Sequence, residues 1–99
     1  MLGIKYDDNK PRYDLVPWSV FEDSVRVLGF GAKKYEVDNW KKVHDAKHRY
    51  IAAAFRHLVA RSEGEILDPE SGLPHTAHAI CCLLFLAWFD GQGPKKTPE

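Results

Sequence analysis

Three short stretches set reactive or ligand-binding side chains at close spacing. In FGAKKYEVDNW, Lys34, Tyr35, Asn39 and Trp40 bring an ammonium, two aromatic rings and an amide into one segment. Such a set suits a nucleotide: the ammonium holds phosphate as a point charge, an aromatic face stacks on a base, and the amide pairs with a base edge. In RYIAAAFRHLVARSEGE, a helical wheel puts His57 beside Tyr50 and Arg61 at the edge of an apolar stripe. Arg49 and Arg56 fall with Ala52 and Ala60 on the far side, where small residues between arginines allow a close interface or a shared pocket. In ESGLPHTAHAICC, His75 and His78 share a helical face that Cys82 continues, an acceptable ligand geometry for a transition metal, although no CxxC or HExxH pattern accompanies it. His75 near a helix start, neutral or protonated, also adds a donor for phosphate oxygens to the N-terminal amides. Just upstream, Glu65, Asp68 and Glu70 are hard oxygen donors of the kind magnesium or manganese takes.

Each stretch has a plainer reading. Lys34 and its neighbours fit a solvated helix end with Trp40 closing the core, and the arginines fit an ordinary surface. Asp68, Glu70 and Ser71 fit caps that complement the dipole of the following helix.

The elements that must position these residues are helical. Trp18, Phe21, Val25 and Leu28 recur at helical spacing after Pro17, a good first-turn residue, and predict a helix running toward Tyr35. Ile51, Ala54, Phe55, Leu58 and Val59 follow the pattern of a one-sided helix ending near Gly64. From Pro74, HTAHAICCLLFLAWF has no formally charged side chain and is apolar all round from Ala79, as expected of a central helix in a bundle or an interface. Residues 1–16 lack a period and read as an extended strap; DGQGPKKTPE reads as a flexible tail. The expected fold is all-α: one small domain of three principal helices over residues 1–90, with a tail at 91–99.

Composition narrows the partners. Ninety-nine residues, 44% apolar, sit near the lower end of what buries a self-sufficient core, so a homo-oligomer is expected. Fourteen basic against 14 acidic residues leave no field to hold duplex nucleic acid. Cys81 and Cys82 are adjacent and point about 100° apart on a helix, which forms no disulfide framework and fits a reducing compartment. The charged N-terminus and the lack of a long apolar run give no signal peptide and no membrane span, so a cytoplasmic protein is expected.

Taken together and in order, IKYDDNKPRYDLVP, FGAKKYEVDNW, RYIAAAFRHLVARSEGE and LDPESGLPHTAHAICCLLFL resemble a small phage and prophage family, the dATP/dGTP diphosphohydrolase N-terminal domain. The resemblance covers about residues 4–90. Its motif of GxxKY and NW, RHL with GE, and DxESGLxHLxHA falls on Gly31, Lys34, Tyr35, Asn39, Trp40, Arg56, His57, Gly64, Glu65, Asp68, Glu70, Ser71, Gly72, His75 and His78. Cys82 departs from it, where relatives commonly carry a polar amide.

The resemblance implies hydrolysis of purine deoxynucleoside triphosphates to monophosphates, in the host cytoplasm if the protein is phage-encoded. The three-helix layout also looks like that of all-α nucleotide pyrophosphatases, which hold magnesium with ExxE on one helix and ExxD on another. Here the corresponding helices offer Arg56 and His57, and His75 and His78, while the acidic quartet is missing. Cations and imidazoles bind phosphate directly but repel magnesium. The expectation is therefore a nucleotide-binding protein without a cofactor. Lys34, Arg56, His57, His75 and His78 would hold the phosphates, Tyr35 and Trp40 would stack on the base, and Asn39 would pair with it. The ligand is a purine nucleotide or a cyclic nucleotide immune signal, sequestered as phage sponge proteins do it. The alternative is a magnesium- or manganese-dependent dATP/dGTP diphosphohydrolase with Glu65, Asp68 and Glu70 as ligands.

Overall fold

The computed structural model describes residues 2–92. Three α-helices form the domain, α1 (Trp18–Lys34), α2 (Ala46–Ser62) and α3 (His75–Gly91), with short 3-10 turns at Tyr13–Leu15 and Asn39–Lys42. No strand occurs among the described residues; an isolated bridge pairs Leu67 with Pro74. The all-α expectation holds. Of the expected tail, Gly91 ends α3 and Gln92 caps it, while residues 93–99 lie outside the described residues.

Local chemistry sets the helix ends within a residue or two of the sequence reading. Pro17 and Pro74 stand at the N-cap positions of α1 and α3, where a missing N–H costs nothing. Past α2, Gly64 adopts φ +100° and the Glu65 amide bonds back to the Ala60 carbonyl at 3.1 Å, a left-handed exit that satisfies the last carbonyls.

α3 is central: it packs against both α1 and α2, more extensively against α2. The α1–α3 crossing is built on small residues. Ser24 is fully buried and donates its hydroxyl to the Ala77 carbonyl at 3.3 Å; the Cys81 thiol, 2% exposed, donates to the Ser24 carbonyl at 3.2 Å. Val27, Ala77 and Cys81 form the core there, with Leu73 and Phe85 against it. Burial pushes the Cys81 thiol up to about 12 and raises Cys82 as well, and neither is in a disulfide.

The apolar stripes predicted for α1 and α2 are turned differently from expectation. Ser24 and Val27 carry the buried face of α1, and Val25 is 54% exposed. On α2 the buried positions are Ala46 and Ala54, with Tyr50, Ala53 and His57 half-buried beside them. Ile51, Phe55, Leu58 and Val59 lie exposed, Phe55 at 63%. The physical reason is that alanines let α2 approach α3 closely, whereas its large side chains would hold the helices apart. α3 likewise leaves Leu83 and Leu84 open. No described helix is long and apolar enough to cross a membrane. At the N-terminal side, Leu2, Ile4 and Tyr6 are exposed, and the strap is tied down where Trp18 donates its indole N–H to the Tyr13 carbonyl at 2.8 Å.

Candidate functional site

A groove of about 800 Å³ runs along the end of α1, the 39–42 turn and the facing sides of α2 and α3. Of the eight residues expected to bind a nucleotide, it gathers six on its wall: Lys34, Tyr35, Asn39, Trp40, Arg56 and His78. α1 ends at Lys34, so Lys34 and Tyr35 project where the chain leaves the helix. Asp38 in the left-handed region, at φ 62°, starts the turn that brings Asn39 and Trp40 back toward the helices. The Trp40 carbonyl accepts the Tyr50 hydroxyl at 3.0 Å, which ties this turn to α2.

The six are not equally free. The Trp40 indole is stacked on Phe85, centroids 4.4 Å apart, and meets Trp88 edge-on at 5.2 Å, so much of its surface goes into packing. Tyr35 is 63% exposed, with the Lys34 ammonium 5.3 Å from its ring centre. Lys34 donates to Glu70 at 2.7 Å, and this pairing holds the ammonium above its ordinary pKa. Arg56 is exposed and makes no ion pair among the described residues. Arg49, which the sequence placed with Arg56 on a face suited to an interface or shared pocket, also lines the groove, as do Phe85 and Trp88, to which sequence reasoning gave no site role. Arg49 was legible, two turns from Arg56 on the same side of α2; the α3 aromatics read as core.

His57 and His75 lie behind this wall. The His78 ring stacks on His57 with centroids 4.6 Å apart, 11° from parallel, while the Ser71 hydroxyl meets His78 Nε2 at 2.7 Å. His57 Nδ1 and His75 Nδ1 are 2.8 Å apart, and His75 Nε2 is 2.7 Å from the Glu65 carboxylate. Asp68 Oδ2 stands 3.9 Å from His57 Nδ1. One ligand atom from each of His57, Asp68 and His75 lies within 4.8 Å of the others. Burial, then the neighbouring imidazoles, lowers the pKa of His57; burial also lowers that of His78 against the pull of Asp68. Both rings are therefore neutral at pH 7, which weakens them as cationic phosphate holders.

The loop acids take three separate roles. Asp68 Oδ1 accepts the amides of Glu70 at 2.8 Å and Ser71 at 3.1 Å, closing its own loop and leaving the N-terminus of α3 without a side-chain cap. Burial works against the Asp68 carboxylate, but these amides and the nearby imidazoles hold its pKa below the usual value. Gly72, at φ +73°, completes the loop with its amide on the Asp68 carbonyl. Glu65 is engaged by His75 and Glu70 by Lys34, so the three carboxylates do not form a common oxygen cage for magnesium or manganese. Cys82 is buried apart from the histidine and aspartate group.

The structure is thus a three-helix domain whose groove carries cations, an amide and an aromatic ring. Comparison with known proteins gives the family: the chain belongs to the one described as dATP/dGTP diphosphohydrolase, N-terminal, which matches residues 2–99. It is 34% identical over 94 residues to the dATP/dGTP diphosphohydrolase of Salmonella phage PMBT28. That alignment covers 95% of this chain and 32% of the phage protein, so the chain spans about a third of its relative's length. No solved structure matches it.

Proposed function

We propose that this chain is a nucleotide-binding domain that captures a purine nucleotide in the groove, phosphates against Lys34 and Arg56 and base against Tyr35 and Asn39. The observation that carries the reading is the gathering of Lys34, Tyr35, Asn39, Trp40, Arg56 and His78 on one wall. The groove's volume of about 800 Å³ falls within the range of roughly 300–1,000 Å³ typical of small-molecule sites. Membership in a family described by dATP and dGTP favours a purine deoxynucleotide. A cyclic purine nucleotide offers the same chemistry, and its capture would make the domain a sponge for an immune signal. The apolar face left open on α2 and the exposed leucines of α3 support self-association.

The second reading, hydrolysis to monophosphate and pyrophosphate, is favoured by the grouping of His57, Asp68 and His75 behind the groove wall. Incubation of the purified chain with dATP, dGTP and a panel of cyclic nucleotides, with and without magnesium or manganese, separates the two. After isolation of the protein and denaturation, intact nucleotide recovered under both conditions is the expected result. Conversion to monophosphate and pyrophosphate would establish the hydrolase instead, and a protein that retains and converts nothing would end both readings.

A further inference from the structure

We propose that His57, Asp68 and His75 form a binding site for a divalent transition-metal ion of the zinc class, held by Nδ1 of both imidazoles and Oδ2 of the carboxylate. The three donors come from three elements: His57 from α2, His75 from the first position of α3, and Asp68 from the loop between them. Two donors each about 2.0–2.1 Å from one tetrahedral ion stand about 3.3 Å apart. The two Nδ1 atoms, 2.8 Å apart, stand closer than that, and the Asp68 side is wider, 3.9 Å to His57 and within 4.8 Å of His75, so ligation would spread the rings slightly and draw the carboxylate inward.

The surroundings are built as a metal site's are. His75, 4% exposed, has its far nitrogen against Glu65 at 2.7 Å; a carboxylate there fixes the tautomer that leaves Nδ1 free to ligate and raises the basicity of the ring. Asp68 is oriented in the same way. Its Oδ1 is taken by two loop amides, and Oδ2 faces His57 at a distance too long for a hydrogen bond. Two imidazoles and one carboxylate suit zinc and its neighbours, and disfavour magnesium and calcium, which take oxygen. Three protein donors leave a fourth position for water or a phosphate oxygen. The site stands on its own geometry and does not depend on nucleotide capture.

The test uses zinc and cobalt alone, without nucleotide. The full chain is stripped with chelator, loaded, and passed over a desalting column; bound metal is counted by elemental mass spectrometry and cobalt followed by its visible absorption. The expected result is one ion per chain, with four-coordinate cobalt absorption. His57→Ala and Asp68→Asn should each weaken binding at least tenfold, and Glu65→Gln by about tenfold to a hundredfold. His48→Ala, at an exposed histidine, should bind as the wild type does. If buried His75 is needed for folding, half-exposed His57 keeps the test valid, with helical content checked by circular dichroism. Loss of the ion from the wild type, or equal retention by His57→Ala and Asp68→Asn, would overturn the site and leave the trio a hydrogen-bonded cluster. Nucleotide retention in the same chelated protein is scored separately, so either proposal can fail without the other.

Discussion

Lys34 and Glu70, 36 residues apart in sequence, meet at 2.7 Å on the wall of the groove, so the ammonium assigned to phosphate is already matched by a carboxylate. A bound phosphate must compete with Glu70 for Lys34 and also approach the Glu70 charge. Glu70→Gln is therefore expected to strengthen nucleotide binding severalfold while leaving thermal stability unchanged, since an exposed pair contributes little to folding. Titration of nucleotide into both proteins checks this; weaker binding in the variant would mean that Glu70 itself contacts the ligand.

The pH dependence of capture follows from which cations are permanent. Glu70 raises the pKa of Lys34 above its ordinary value, so the ammonium loses its proton only well above neutrality, and an arginine stays charged throughout. Burial lowers His57 and His78, so they gain charge only below the ordinary imidazole value near 6.5. Affinity should thus be flat between pH 8 and pH 7. A strengthening on acidification across this window would show instead that protonated imidazoles contact the phosphates.

At the α1–α3 crossing, Ala77 is 3% exposed and accepts the Ser24 hydroxyl through its carbonyl. Ala77→Leu forces extra methyl groups into that contact and is expected to cost about 1–3 kcal/mol, read from urea unfolding. Cys81, with its thiol pushed up to about 12 and 2% exposed, should resist iodoacetamide at pH 8 until the protein is unfolded. Rapid alkylation of the native chain would show that the crossing opens.

Self-association is expected to run through the exposed face of α2. Phe55→Glu places a charge among Ile51, Leu58 and Val59, so a wild type that sediments as a dimer or larger species should become smaller in the variant. A monomeric wild type at micromolar concentration would remove the interface.

Helix number and ends were legible because periodicity, the two prolines and Gly64 act locally. Helix rotation was not. The hydrophobic pattern put Ile51 and Phe55 inward, but close packing on alanines turned them out, and periodicity cannot tell a face buried in its own domain from one left for another surface. Lys34, Tyr35, Asn39 and Arg56 were legible as a group because each carries ligand chemistry at a predicted helix end or face. The trio was missed because Asp68 was read with the other acids. Its pairing with His57 depends on the tight Asp68–Gly72 loop, whose path no spacing rule supplies.

The central claim, that the groove binds a nucleotide by its phosphates, is tested most directly by calorimetric titration of dATP and dGTP into the wild type and Arg56→Ala. Arg56 is exposed and lines the groove, so its loss should leave the unfolding transition in place while removing a charge-assisted hydrogen bond to phosphate. The account predicts measurable wild-type binding and an affinity about tenfold to a hundredfold weaker in the variant. Identical titrations, or no heat with either nucleotide in the wild type, would contradict it.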